Sequence, residues 1–195
     1  MKRRLLLAAA TAAAPTLLLS ACASQQIETY AQEKPLLDLM QYFNGTLDAY
    51  GVFTDRSGTV VKRFTVVMVC TWNGDEGVLD EDFRYSDGST QKRIWRLRKL
   101  GDGRFSGRAD DVVGEARGET RGNTFHWTYT LNLPVGGNVF EVQFDDWMYL
   151  MTDKVMLNKA AMSKFGVGLG EVTLSFVKRC LTTYATLCPT QPAPA

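Results

Sequence analysis

Hydrophobic and polar positions alternate with period two through most of this chain. The clearest run is residues 123–133, where Phe125, Trp127, Tyr129, Leu131 and Leu133 alternate with Thr124, His126, Thr128, Thr130 and Asn132. That pattern predicts a strand with one buried and one wet face. A second run, residues 59–70, sets Val60, Phe64, Val66 and Met68 against Val61, Arg63, Thr65 and Val67; apolar residues in both phases predict a strand whose middle is covered on both sides. Turn signals at Asp55-Arg56-Ser57-Gly58, Asn73-Gly74-Asp75, Ser86-Asp87-Gly88, Gly101-Asp102-Gly103, Gly122-Asn123 and Gly136-Gly137-Asn138 divide the chain into about ten strands. So many strands in a chain of this size are expected to close on themselves, which removes exposed edges, and an antiparallel barrel is the expected fold. Pro35 is expected to open a short N-terminal helix carrying Leu36, Leu37, Leu39, Met40 and Phe43, which Asn44-Gly45 ends. Residues 158–166, with Ala160, Ala161, Met162 and Phe165, break the alternation and predict a short helical insertion over one barrel end.

The N-terminus reads differently. Lys2, Arg3 and Arg4 precede an apolar run from Leu5 to Leu19 that ends in Leu19-Ser20-Ala21-Cys22, the layout of an export signal. The run is interrupted by Pro15 and is short for a spanning helix of about 20 residues. Leu-Ser-Ala-Cys resembles the lipobox of bacterial lipoproteins, and that resemblance implies cleavage before Cys22 and acylation of its thiol and new amino group; a plain signal peptide is the alternative. The chain then divides into a lipoprotein signal peptide (1–21), a lipidated tether (22–34), a β-barrel domain (35–179) and a C-terminal tail (180–195). Ala23 and Ser24 follow the cysteine in place of an aspartate retention signal, so the expected location is the outer membrane, lipid-anchored, on the periplasmic face.

Charge and chemistry narrow the function. The chain holds 22 Lys+Arg against 21 Asp+Glu, and loss of the signal removes three of the bases, so the mature protein is slightly acidic and nucleic acid is an unsuitable partner. A membrane-spanning barrel is disfavoured by the strand over residues 91–99, which puts Arg93 and Lys99 on one face and Lys92, Arg96 and Arg98 on the other. In an oxidising compartment Cys180 and Cys188 are the candidate disulfide, with Cys70 a buried thiol; pairing of Cys70 with Cys180 is the competing arrangement. No metal site is expected, because there is no C-x-x-C and His126 is the one histidine. No G-x-S-x-G, H-E-x-x-H or phosphate loop occurs, and Gly166-Val167-Gly168-Leu169-Gly170 lacks the spacing of a dinucleotide site. No catalytic constellation or cofactor is therefore expected, and His126 is read as a solvated residue. Asp145 and Asp146, like Asp110 and Asp111, are neighbours on the chain, so the two members of each pair should face opposite ways along a strand. The candidate ligand-binding residues are Trp95, Phe125, Trp127, Tyr129, Trp147, Asp145 and Asp146, with packed core the alternative for the aromatics and turn-capping or pairing with an arginine the alternative for the acids.

A string of motifs completes the reading: Phe43-Asn44-Gly45, Asp80-Glu81-Asp82-Phe83, Arg93-Ile94-Trp95, Ala109-Asp110-Asp111-Val112-Val113-Gly114, His126-Trp127-Thr128-Tyr129, Asp145-Asp146-Trp147-Met148-Tyr149-Leu150 and Lys164-Phe165-Gly166. From about Leu36 to Lys178 the chain resembles the bacterial lipoproteins of the domain of unknown function family 3833. The resemblance implies a lipocalin-like, calycin-type barrel and a genetic context of fatty-acid-modifying enzymes. The expected function is to bind a fatty acid, phospholipid or similar hydrophobic ligand inside the barrel while anchored to the membrane by lipid. The alternatives are a non-catalytic envelope protein whose barrel presents a partner-binding surface and, less favoured, a lipid-acting enzyme.

Overall fold

The computed structural model describes residues 24–179. Ten strands follow one short helix: α1 (Leu39–Tyr42), β1 (Gly45–Asp55), β2 (Val60–Asn73), β3 (Glu76–Tyr85), β4 (Thr90–Gly101), β5 (Arg104–Arg108), β6 (Ala116–Arg121), β7 (Thr124–Val135), β8 (Asn138–Leu150), β9 (Val155–Lys164) and β10 (Val167–Lys178). Each strand pairs antiparallel with the next, and β1 pairs with β10 from Leu47↔Lys178 to Asp55↔Gly170, so the sheet closes into an up-and-down barrel without a free edge. Cys22, Cys180 and Cys188, and with them the lipidation and disulfide expectations, lie outside the described residues.

The two ends of the barrel differ. At one end α1 plugs the bore. Asp38 caps it by accepting the Gln41 amide at 3.0 Å, the Tyr42 hydroxyl donates to Phe176 O at 3.1 Å, and the Trp72 indole donates to Phe43 O at 2.7 Å. Gly45, at φ 92°, turns the chain out of the plug into β1, a conformation that a side chain would strain. Leu39 of the plug and, beneath it, Leu47, Met68, Cys70 and Met156 are all at most 2 % exposed. Toward the opposite end the inward residues Phe53, Tyr85, Gln91, Leu133 and Leu174 are only half-buried, and this end is open.

Four sequence expectations change. The short N-terminal helix starts at Leu39 with Asp38 as its cap, not at Pro35, and Leu36, Leu37 and Phe43 lie outside it. Residues 158–166 contain no helix: β9 runs to Lys164 and is laddered to β8 on one side and β10 on the other. Its alanines carry helix propensity, but Met156, Asn158, Ala160 and Met162 point inward while Leu157 and Lys159 point outward, and cross-strand pairing overrides a weak local preference. The middle of β2 is covered on one face alone; Phe64, Val66, Met68 and Cys70 are buried, whereas Val61, Val67 and Val69 are exposed. Residues 24–34 are docked as well as polar. A 3₁₀ turn at Ile27–Tyr30 lies against β6 and β7, Glu28 pairs with Arg121 at 2.8 Å, and the Leu37 amide donates to Gly122 O at 2.8 Å. A Cβ on Gly122 would meet Tyr30 O at 1.8 Å, so the approach of this segment depends on glycine there.

Candidate functional site

Barrel interiors are lined by every second residue of each strand, and here the inward set encloses an apolar cavity of about 160 Å³. Aromatic rings form much of its wall. Trp95 of β4 meets Trp127 and Tyr129 of β7 edge-on, at centroid distances of 5.8 and 5.4 Å, and Tyr129 stacks on Phe144 at 5.0 Å. Two close glycines make room for the indole of Trp127: a Cβ on Gly107 would lie 2.9 Å from it and one on Gly118 2.6 Å. β5 and β6 are only five and six residues long, so toward the open end the gap between β4 and β7 is filled by residues 109–115. The Val113 amide donates to Thr130 O at 2.9 Å and the Asn132 amide to Asp111 O at 2.8 Å.

A belt of polar groups crosses this apolar wall. Asp111 reaches in from the 109–115 loop and takes hydrogen bonds from Arg93 Nε at 2.9 Å and Nη2 at 2.7 Å, with Gln91 Nε2 at 3.3 Å from the same carboxylate. The Tyr85 hydroxyl donates to Gln91 Oε1 at 2.7 Å. On the other side Asp146 accepts from the Tyr129 hydroxyl at 3.3 Å and from Asn158 Nδ2. Glu81 is 8 % exposed, and Arg93 Nη1 approaches its Oε2 no closer than 4.0 Å. Burial pushes the Glu81 carboxyl up to about 7, Arg93 pulling the other way and Asp111, Asp146 and Asp80 adding to the rise. Burial likewise pushes Asp146 up to about 7 against the hydrogen bonds of Asn158 and Tyr129, and raises the Tyr129 hydroxyl far above its ordinary value. These shifts follow from removing ionisable groups from water beside too few countercharges.

The residues singled out in the sequence divide between two places. Trp95, Phe125, Trp127, Tyr129 and Asp146 line the cavity. Asp145 and Trp147 are on the outer face of β8, so they belong to no interior site. There Asp145 Oδ1 accepts from the Trp147 indole at 3.1 Å and lies 2.6 Å from His126 Nε2, and the imidazole stacks on the Trp147 ring at 4.0 Å. His126 is thus packed and hydrogen-bonded on the outer wall, not simply solvated. Tyr30 of the docked segment meets Trp147 and Tyr149 at 6.1 and 5.6 Å, which buries Trp147 from outside. The sequence reading passed over Glu81, Arg93, Asp111 and Asn158 as site residues. For Glu81, Arg93 and Asn158 the signal is a polar residue in the apolar phase of an alternating strand: Leu79-x-Glu81-x-Phe83, Arg93-x-Trp95-x-Leu97 and Met156-x-Asn158-x-Ala160; Asp111 lies in a loop and has none. Among the described residues no cluster of three metal-ligating side chains occurs, and none of the helices is long and apolar enough to cross a membrane.

A closed antiparallel barrel of lipocalin-like architecture with an apolar, partly open interior is the class that these features define. The chain belongs to the family of proteins of unknown function DUF3833, whose profile matches residues 16–178. No curated protein matches it. Among solved structures it is similar to an S-type phycobiliprotein lyase from Guillardia theta, at 8 % identity and a TM-score of 0.56 over 80 % of this chain and 99 % of that one. A protein of unknown function from the DUF3598 family of Nostoc punctiforme matches at 10 % identity and a TM-score of 0.46, over 75 % of this chain and 51 % of that one. A de novo designed fluorescence-activating β-barrel matches at 13 % identity and a TM-score of 0.42, over 74 % of this chain and all of that one. At such identities the lyase likeness speaks to the fold.

Proposed function

We propose that this protein is an outer-membrane lipoprotein, anchored at Cys22 on the periplasmic face, whose barrel binds a lipid-like apolar ligand without chemical conversion. The observation that carries the reading is the interior: an apolar, aromatic-lined cavity, closed by α1 at one end and open at the other, with a few convergent polar groups. Among the described residues its lining holds no serine, cysteine or histidine, three of the common nucleophiles of covalent catalysis. About 160 Å³ resembles the roughly 150 Å³ apolar cavity that accepts benzene. The enclosed part therefore suits a ring or the first stretch of an acyl chain, and a longer chain extends through the open end. The Leu19-Ser20-Ala21-Cys22 motif supports the anchor, and two or more acyl chains suffice for stable attachment.

Native mass spectrometry of the full chain released from membranes tests the proposal. An apolar molecule retained in the folded protein is expected; absence of any adduct, with no saturable tryptophan fluorescence response to apolar ligands, overturns it. A surface-presenting role is favoured by one observation, the two apolar hairpin tips at the open end, where Val135, Val139 and Phe165 are 58, 65 and 89 % exposed.

A further inference from the structure

Within the ligand-binding reading, on which this inference rests, the polar groups of the cavity specify the head of the ligand. Two acids, Glu81 and Asp146, line the cavity with one cation, Arg93, and a third acid, Asp111, takes all three hydrogen bonds that Arg93 donates. The hydroxyl and amide donors of the belt are engaged, as are Nε and Nη2 of the guanidinium: Arg93 and Gln91 with Asp111, Tyr85 with Gln91, Tyr129 and Asn158 with Asp146. Arg93 Nη1 stands 4.0 Å from Glu81, beyond hydrogen-bond reach, and the other groups left over accept. Glu81, more than nine-tenths buried, is met only by Arg93 at 4.0 Å, its remaining exposure opens onto the cavity, and Asn158 Oδ1 is buried without a donor. Buried acceptors without partners call for an occupant. Trp95, Trp127, Tyr129 and Phe144 line the same cavity, and the one cation there, Arg93, sits over the Phe83 ring at 5.3 Å.

We propose that the cavity selects an apolar molecule bearing a protonated amine, whose ammonium is held at Glu81 while its chain runs toward the open end. A fatty-acid carboxylate in that place would add a fourth acid to a site with one base. An ammonium supplies the missing countercharge and donates to the free carboxylate. Binding of the amine is coupled to ionisation of Glu81, whose charged and titratable surroundings are Arg93 from β4, Asp111 from the 109–115 loop, Asp146 from β8, Tyr129 from β7, Cys70 from β2 and Asp80 of its own strand.

The test compares octylamine, octanol and octanoate, matched in chain length, on the full chain in lipid nanodiscs with empty discs as blank. Binding is read by tryptophan fluorescence and calorimetry. At pH 8 octylamine is expected to bind at least about tenfold more tightly than octanoate, and to weaken from about pH 8 to about pH 6 as Glu81 takes up its proton while the amine stays charged. Glu81→Gln is expected to lower octylamine affinity about tenfold and octanol affinity far less, and a cooperative thermal melt reports that the variant is folded. Octanoate binding as well as or better than octylamine, or Glu81→Gln binding the amine as well as the parent, overturns this proposal and leaves the ligand-binding reading standing. Failure of all three probes to bind folded protein overturns both.

Discussion

Replacing Glu81 by glutamine keeps the volume of the side chain and removes its charge from the barrel interior, so the substitution isolates the cost of burying a carboxylate. Burial raises that carboxyl from its ordinary 4.5 to about 7. The folded protein therefore keeps a proton that the unfolded chain gives up, and the associated stability is fully present below about pH 4.5 and lost as pH rises through about 7. At about 1.4 kcal/mol per pH unit the displacement amounts to about 3 kcal/mol. Asp146, raised from 3.8 to about 7, acts in the same direction. The acids held low by hydrogen bonds, Asp48 at Arg179 and Asp55 and Asp87 in their turns, contribute stability that is lost only as pH falls below their ordinary 3.8, so the window from about pH 5 to about pH 8 belongs to the buried pair. Guanidinium unfolding at both ends of that window is expected to show the parent less stable at the upper pH. Glu81→Gln should recover up to about 3 kcal/mol there and little at the lower, read as a midpoint shift at unchanged slope. In thermal melts the gain corresponds to about 6 to 12 °C. A parent more stable at pH 8 than at pH 5, or a glutamine variant no better than the parent at pH 8, refutes the reasoning.

Trp127→Ala is expected to cost about 3 to 5 kcal/mol in chemical unfolding, because the indole is 4 % exposed and fills space left by Gly107 and Gly118; a loss below about 1 kcal/mol would mean that the ring is not packed as described. Cys22→Ser is expected to move the protein from the detergent-requiring to the aqueous fraction or to leave the signal uncleaved, and unchanged membrane fractionation with normal cleavage would remove the anchor from the proposal.

The barrel was legible because alternation is a direct imprint of a two-faced sheet: Phe125, Trp127 and Leu131 announced β7 and its inward face, and the turn residues set the strand count. β9 was less legible because its inward Ala160 and outward Ala161 carry little contrast, and what fixes it as a strand is pairing with residues before and after it in sequence. The site was half legible. Aromatic residues in the apolar phase were found, but polar residues in that phase look like surface until the register is known, so Glu81 and Arg93, opposite each other on β3 and β4, went unassigned. Asp146 was found for its neighbours' sake, and the structure separates it from Asp145 and Trp147 by the thickness of the sheet. Asp111 needed the loop geometry, since its role depends on β5 and β6 stopping short.

The docking of residues 24–34 has a bearing on direction. Gln25 Nε2 donates to the Tyr149 hydroxyl at 2.6 Å, Ile27 is buried, and Glu28 is paired with Arg121, all beside the plugged end. Ser24 is two residues from Cys22, and two extended residues span at most about 7 Å. Under the proposed acylation of Cys22, the attachment would be a short mooring at one pole of the barrel, with the plug toward the lipid and the opening a strand's length away. On the proposed ligand-binding reading the cargo would then be exchanged on the side away from the membrane, where the Phe165 and Val139 hairpins stand first.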